Sequence, residues 1–174
     1  MVAGAILPVC MHKGKLYFLF GLETAEADTP GWADFGGGSE NYETPYQTAL
    51  REGYEESSGF LNTKELVKHG VFKMVHGTYH MFIVKNEYDE SIVKYFNRMH
   101  EFVKKRKPEL LKTVLFEKQK IEWFSIEDMR KRKKEFRAFY QEIVDELIEN
   151  ESTIKKFIKN KKTRKKSVSG VSGV

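Results

Sequence analysis

The chain has 174 residues, of which 40% are apolar and 32% charged, which suits one soluble domain with its own core. Cys10 is the sole cysteine, so an internal disulfide is excluded and a reducing compartment is expected. The formal charge is +5, but residues 159–166 read KNKKTRKK with six basic residues and no acid, so the rest of the chain comes to −1 and the basicity belongs to a tail.

The opening MVAGAILPVC lacks the basic region of a signal peptide and reads as a first strand. No apolar stretch approaches the roughly 20 residues of a membrane helix. The expected placement is intracellular and cytoplasmic, or nuclear if the basic tail acts as an address. Residues Ala3–Val9 and Lys15–Leu22 read as two strands joined by a His12-Lys13-Gly14 hairpin turn. Residues 23–31 read as a polar loop with turn chemistry at Thr29-Pro30-Gly31, and Trp32–Phe35 leads into Gly36-Gly37-Gly38. Thr44 then caps a helix with Pro45 at its first position and Gln47 completing a capping box; the helix is expected to reach about Ser58, stopped by Gly59.

Residues Val71–Val75 and Thr78–Lys85 read as strands around His76-Gly77. Residues 89–105 carry Ile92, Tyr95, Phe96 and Met99 at helical spacing, followed by the basic break Lys104-Lys105-Arg106-Lys107. A short strand is expected over Ile121–Phe124, then a helix capped by Ser125, then one long amphipathic helix over 136–158 with Phe136, Tyr140, Ile143, Leu147 and Ile154 on its apolar face. The end of the tail, SVSGVSGV, is low-complexity and expected to be disordered. The expected organisation is therefore one domain over 1–158, with an inserted helix and basic segment at 86–113, and a tail at 159–174.

The chemistry concentrates in residues 37–60, GGSENYETPYQTALREGYEESSGF. At roughly 100° per residue, Glu52, Glu55 and Glu56 share one helix face, while Tyr46, Ala49, Leu50 and Gly53 lie on another that can pack on a sheet. Like charges at this spacing repel by a few tenths of a kcal/mol per pair, and no Lys four residues on relieves them. A bound divalent cation is the simplest compensation, and carboxylate oxygens suit a hard ion such as Mg²⁺ or Mn²⁺.

Gly37, Glu43, Arg51, Glu52, Glu55 and Glu56 fall at the spacing of the Nudix box, a glycine, five residues, Glu, seven residues, then Arg-Glu-x-x-Glu-Glu, and the segment resembles that family. Two departures stand out. Gly53 occupies a position where the family carries a bulky apolar residue, and the closing glycine is Gly59, one residue late. A later Glu117, shortly before the Glu122-Trp123 pair of a strand, is similar to the family's late acidic residue.

The resemblance implies an α-β-α sandwich around a mixed sheet, with an inserted helix and a long C-terminal helix. It also implies water attack on a phosphorus of a nucleoside diphosphate-linked substrate. Glu52, Glu55 and Glu56 are the expected metal ligands, with the Gly37 carbonyl as a further one. Arg51 is expected to orient a box glutamate, with Glu43 within its reach. Glu117 is the candidate general base or fourth metal ligand, and Glu122 the runner-up. Trp32 and Phe35 flank the glycine run and are candidates to stack on a base, while Tyr17 and Phe18 read as core. His76 and His80 are weaker candidates for the cleft and form no zinc pattern with Cys10.

The expected substrate is a small nucleotide; capped RNA and diphosphoinositol polyphosphates are alternatives suggested by the basic segments, Arg130–Lys134 and the tail. A catalytically silent RNA-binding scaffold is the remaining alternative, weakened because every box glutamate is present. Nothing in the pattern sets the oligomeric state.

Overall fold

The computed structural model describes residues 2–24 and 27–160. The low-complexity tail lies outside the described residues, apart from Lys159, which ends a helix, and Asn160.

The first strand, β1 (Ala3–His12), runs through the middle of a mixed sheet. On one edge it lies parallel to β6 (Tyr79–Lys85), from Ala3 to Val9. Its other edge is shared between two antiparallel partners. Residues Ala3–Ile6 pair with β4 (Phe35–Gly38), and Val9–His12 pair with β2 (Lys15–Glu23). Pro8 falls between those two stretches, where no antiparallel partner calls for the amide proton it lacks. Every residue from Gly4 to Cys10 is buried, which is why this strand reads as an unbroken apolar run: helices cover both of its faces.

The β1–β2 hairpin turns through Lys13 and Gly14, both left-handed at φ 47° and 76°, the twist that suits flanking strands. The far edge of β2 pairs with β7 (Lys118–Ser125), the two-residue β3 (Trp32–Ala33) joins at Gly21–Leu22, and β5 (Val71–His76) closes the other end beside β6. The expected short strand at 121–124 is thus longer. Lys118, Gln119 and Lys120 extend it through backbone pairing with β2, which an apolar pattern does not register.

On one face lie α1 (Pro45–Glu56), the single-turn α2 (Thr63–Leu66) and α3 (Glu90–Arg106). Ala49 of α1 packs with Ile6, Phe82 and Val84, and Phe96 of α3 packs with Leu19, Phe35 and Trp123. Gly53 marks a close approach, since a Cβ there would stand 2.8 Å from Thr63 Cγ2 and 3.1 Å from Ile6. That contact accounts for the departure from a bulky residue at this position. A short helix, α4 (Ile126–Lys131), follows β7.

The other face is covered by α5 (Tyr140–Glu149) and α6 (Glu151–Lys159), whose Tyr140, Ile143, Leu147 and Ile154 form one apolar stripe against Phe18, Phe20 and Ile83. The helix expected over 136–158 is therefore divided and starts later. Phe136 is held extended by a bridge to Trp32, and the Arg137 amide donates to the Trp32 carbonyl at 3.1 Å, so winding begins only at Tyr140. At the division, the Asn150 side chain turns back to donate to the Glu146 carbonyl at 2.8 Å. The layers are nonetheless those of an α-β-α sandwich around a mixed sheet.

Candidate active site

The capping box at Thr44 and Gln47 fixes where α1 begins, and hence which of its faces meets β4. Glu52, Glu55 and Glu56 then reach a cleft of about 420 Å³ whose opposite walls are the glycine run Gly36–Gly38, Glu23 at the end of β2, Glu117 before β7, and Arg137 before α5. The helix ends at Glu56, two residues before the expected Ser58. Ser58 and Gly59 are both left-handed, at φ 51° and 77°, and take up the extra residue of the box. The Ser58 hydroxyl donates to the Leu115 carbonyl and so ties the end of α1 to the segment that carries Glu117.

Arg51 organises the acidic residues. Its Nε and Nη2 bind both oxygens of Glu43 at 2.9 Å each, its Nη1 reaches Glu52 at 2.9 Å and Glu55 at 3.1 Å, and Nη2 also donates to the Gly38 carbonyl at 3.3 Å. The Arg51 guanidinium, with the Glu40 amide, pulls the Glu43 carboxyl down to about 2. Glu43 therefore stands behind Arg51 as its support and does not line the cleft. Lysine keeps the charge but cannot bridge three carboxylates with a planar fork. Arg51→Lys is expected to cost about 1–2 kcal/mol in urea unfolding, by the loss of charge-assisted bonds. An unchanged midpoint would show that the network is not holding α1 against β4.

Glu56 is buried, and its Oε2 accepts from the Gly36 amide at 2.7 Å. Burial pushes its carboxyl up to about 8, against the pull of Lys118 and with the help of Glu23 and Glu52. Burial also raises Glu52, opposed by Arg51 and reinforced by Glu55 and Glu117; it raises Glu117 likewise, with the charge of Glu23 adding to it. A Cβ on Gly37 would stand 2.5 Å from Glu52 Oε1, so glycine is what lets that carboxylate lie against the β4 backbone.

These residues fit a divalent cation by their chemistry. Several carboxylates, which are hard oxygen donors, line one cleft with the glycine run, and two of them, Glu52 and Glu56, are raised chiefly by burial and further by neighbouring carboxylates. Among the described residues no three acidic, His or Cys side chains stand in a ready-made ligand cage. Arg51 instead takes one oxygen of Glu52 and one of Glu55, contacts that an incoming ion would share or displace.

The other candidates fall elsewhere. Trp32 and Phe35 are 3% and 0% exposed, so neither ring is free to stack on a base. The two rings enter different parts of the core: Phe35 packs with Leu19 and Phe96 under α3, and Trp32 packs on Phe124 at 4.9 Å and lies beneath Arg132. Glu122 points out of the cleft and pairs with Arg132 and Lys120. His76 binds Glu146 of α5 at 2.7 Å, and neither it nor His80 lines the cleft. Tyr17 is only half-buried, while Phe18 is core. Sequence reasoning missed Glu23, Lys118 and Arg137. Glu23 follows an apolar strand and Lys118 adjoins Glu117, but no spacing announces that they pair across the sheet.

The model of the NUDIX domain matches residues 2–147. Comparison with curated proteins gives no match. Among solved structures, an Ap4A hydrolase of C. elegans in a binary complex is 19% identical, with 88% of this chain and 98% of that one covered at a TM-score of 0.54. The Nudix hydrolase RenU of M. smegmatis is 14% identical over 88% of both chains at 0.54. A Nudix hydrolase from Listeria monocytogenes is 16% identical, over 88% of this chain and 96% of that one, at 0.52. At these identities the structures speak for the fold, whereas the domain match spans most of the chain and includes the whole box. The chain belongs to the Nudix family.

Proposed function

We propose that this protein is a divalent-metal-dependent hydrolase that cleaves the phosphoanhydride bond of a small nucleoside diphosphate-linked substrate. The observation that carries the reading is the convergence of Glu52, Glu55, Glu56 and Glu117 on one cleft beside Gly37. Glu52, Glu55, Glu56 and the Gly37 carbonyl would hold Mg²⁺ or Mn²⁺, which when bound neutralises charge developing on the phosphate oxygens. Glu117 is exposed at the edge of the cleft, where its carboxylate can take the proton of the attacking water. Its raised affinity for a proton suits that task and predicts activity that falls as the pH drops. Arg51 keeps Glu52 and Glu55 aimed inward.

A cleft of about 420 Å³ is of nucleotide size. None of Lys104–Lys107 lines it, which weighs against the longer anionic substrates that the basic segments suggest. The C. elegans relative by fold is an Ap4A hydrolase, in keeping with a small nucleotide.

The test is product release from a panel of nucleoside triphosphates, dinucleoside polyphosphates, nucleotide sugars, diphosphoinositol polyphosphates and capped RNA, with Mg²⁺ or Mn²⁺. Turnover of a small nucleotide that needs metal and disappears in Glu55→Gln is the expected result. Turnover confined to capped RNA would replace the substrate assignment. Salt-sensitive RNA binding without any turnover would make this a silent scaffold.

A further inference from the structure

Lys118 is completely buried, and a buried ammonium is costly unless its partners are well placed. Its Nζ donates to Glu23 Oε1 and stands 3.4 Å from Glu56 Oε1. Two features of β2 make room for it. A register shift between Leu22 and Glu23 brings Glu23 opposite Lys118, as a bulge re-aims side chains. At Gly21, a Cβ would lie 2.9 Å from both Cγ and Cδ of Lys118, so the lysine stem passes through space that only glycine leaves open.

The consequence falls on Glu56. Its Oε2 is held from β4 by the Gly36 amide at 2.7 Å, and its Oε1 faces the ammonium carried by β7. An amide donor on one strand and an ammonium ion-paired from another thus fix the direction of one carboxylate in the wall of the cleft. Glu23 is anchored in turn by Arg137 at 3.1 Å, so the ammonium is itself kept in place. A well-packed apolar side chain would fill the same volume without a buried charge to compensate, so packing alone gives no reason for a lysine here.

We propose that Lys118 is a positioning residue for the hydrolysis, acting through Glu56 by holding that carboxylate in the orientation it presents to the cleft. The proposal rests on the reading above that Glu56 helps to hold the divalent ion. Substituting residues that orient a ligand typically weakens metal binding by about 10–100-fold.

The experiment is a double-mutant cycle on the full chain with Mn²⁺ as the probe, unbound Mn²⁺ being read by electron paramagnetic resonance. Lys118→Met is expected to weaken Mn²⁺ binding by about tenfold or more. In the Glu56→Gln background it should add less than about threefold, because the group it acts through is gone. At saturating Mn²⁺ the same substitution should lower kcat while leaving KM within about threefold, since Lys118 does not line the cleft that would take the substrate.

Tighter Mn²⁺ binding on loss of Lys118 in both backgrounds would reveal a plain charge effect and overturn the proposal, as would losses that multiply in the double variant. If circular dichroism shows that Lys118→Met does not fold, Gly21→Ala takes its place in the cycle, since it crowds the lysine stem but keeps the charge. The metal readout needs no substrate. Intact coupling in a protein that turns over nothing would therefore sink the hydrolase reading and leave standing only that Lys118 orients Glu56 toward the metal.

Discussion

Glu56→Gln is expected to lower kcat by about 10²–10³-fold, the scale on which a single preorganised electrostatic group acts, in a protein that still folds. Folding should survive because a Gln carbonyl can accept from the Gly36 amide as the carboxylate does, and Lys118 retains Glu23. Stability should even improve at neutral and alkaline pH when metal is withheld. Glu56 is pushed by burial from an ordinary value of 4.5 to about 8, so the folded state holds its proton more tightly than the unfolded state. Its contribution is present in full below pH 4.5 and is lost as the pH rises through about 8. Gln cannot ionise and removes that loss.

In chelator, the parent should therefore melt at progressively lower temperature from pH 5 to pH 8.5, and the variant should change less. Added Mg²⁺ or Mn²⁺ should reverse the trend in the parent, by about 2.7 kcal/mol at a hundred times the dissociation constant. Identical pH slopes for the two proteins in a thermal scan would show that Glu56 is not the group that resists ionisation.

The parts of this fold that were legible in the sequence are those set by local chemistry. Lys13-Gly14 required a tight hairpin, Thr44-Pro45 with Gln47 required a helix start, and Glu52, Glu55 and Glu56 shared a face because a helix turns by roughly 100° per residue. What escaped depends on partners far along the chain. Trp32 and Phe35 flank the glycines of the cleft, yet they lie on two strands, one paired with β2 and one with β1, and enter cores on opposite faces of the sheet, and no residue in the run records that. The C-terminal helix kept its apolar stripe across Asn150 while its start was decided by the pairing of Phe136 with Trp32. Glu117 ranked above Glu122 in sequence because it precedes the strand while Glu122 lies within it, but the sequence did not show what each would meet. They parted because β7 places one at the lip of the cleft and turns the other toward Arg132. Glu23 and Lys118 are 95 residues apart, and only the bulged pairing of β2 with β7 brings them together.

Gly4→Ala, remote from the chemistry, is expected to lower activity by about 10²-fold. A Cβ at Gly4 would lie 1.9 Å from the carbonyl oxygen of Pro45, the first residue of α1, and 3.0 Å from the amide nitrogen of Ala49. Both obstacles are backbone, so no change of rotamer relieves them. A carbon and a carbonyl oxygen approach to roughly 3.3 Å at closest, which means that one element must retreat by about 1.4 Å. The strand cannot, because Gly4 is paired with Gly37 on one side and His80 on the other in the middle of the sheet. The helix must therefore move, and it carries Arg51, Glu52, Glu55 and Glu56 away from Gly37 and Glu117. Misplacement of catalytic groups by about 1 Å costs on the order of 10²-fold in rate. Overpacking a core contact costs about 1–3 kcal/mol, and with backbone as the obstacle the upper end is expected, read from urea unfolding. Full activity in a variant destabilised by that amount would mean that the glutamates of α1 follow the ion and not the seat of the helix.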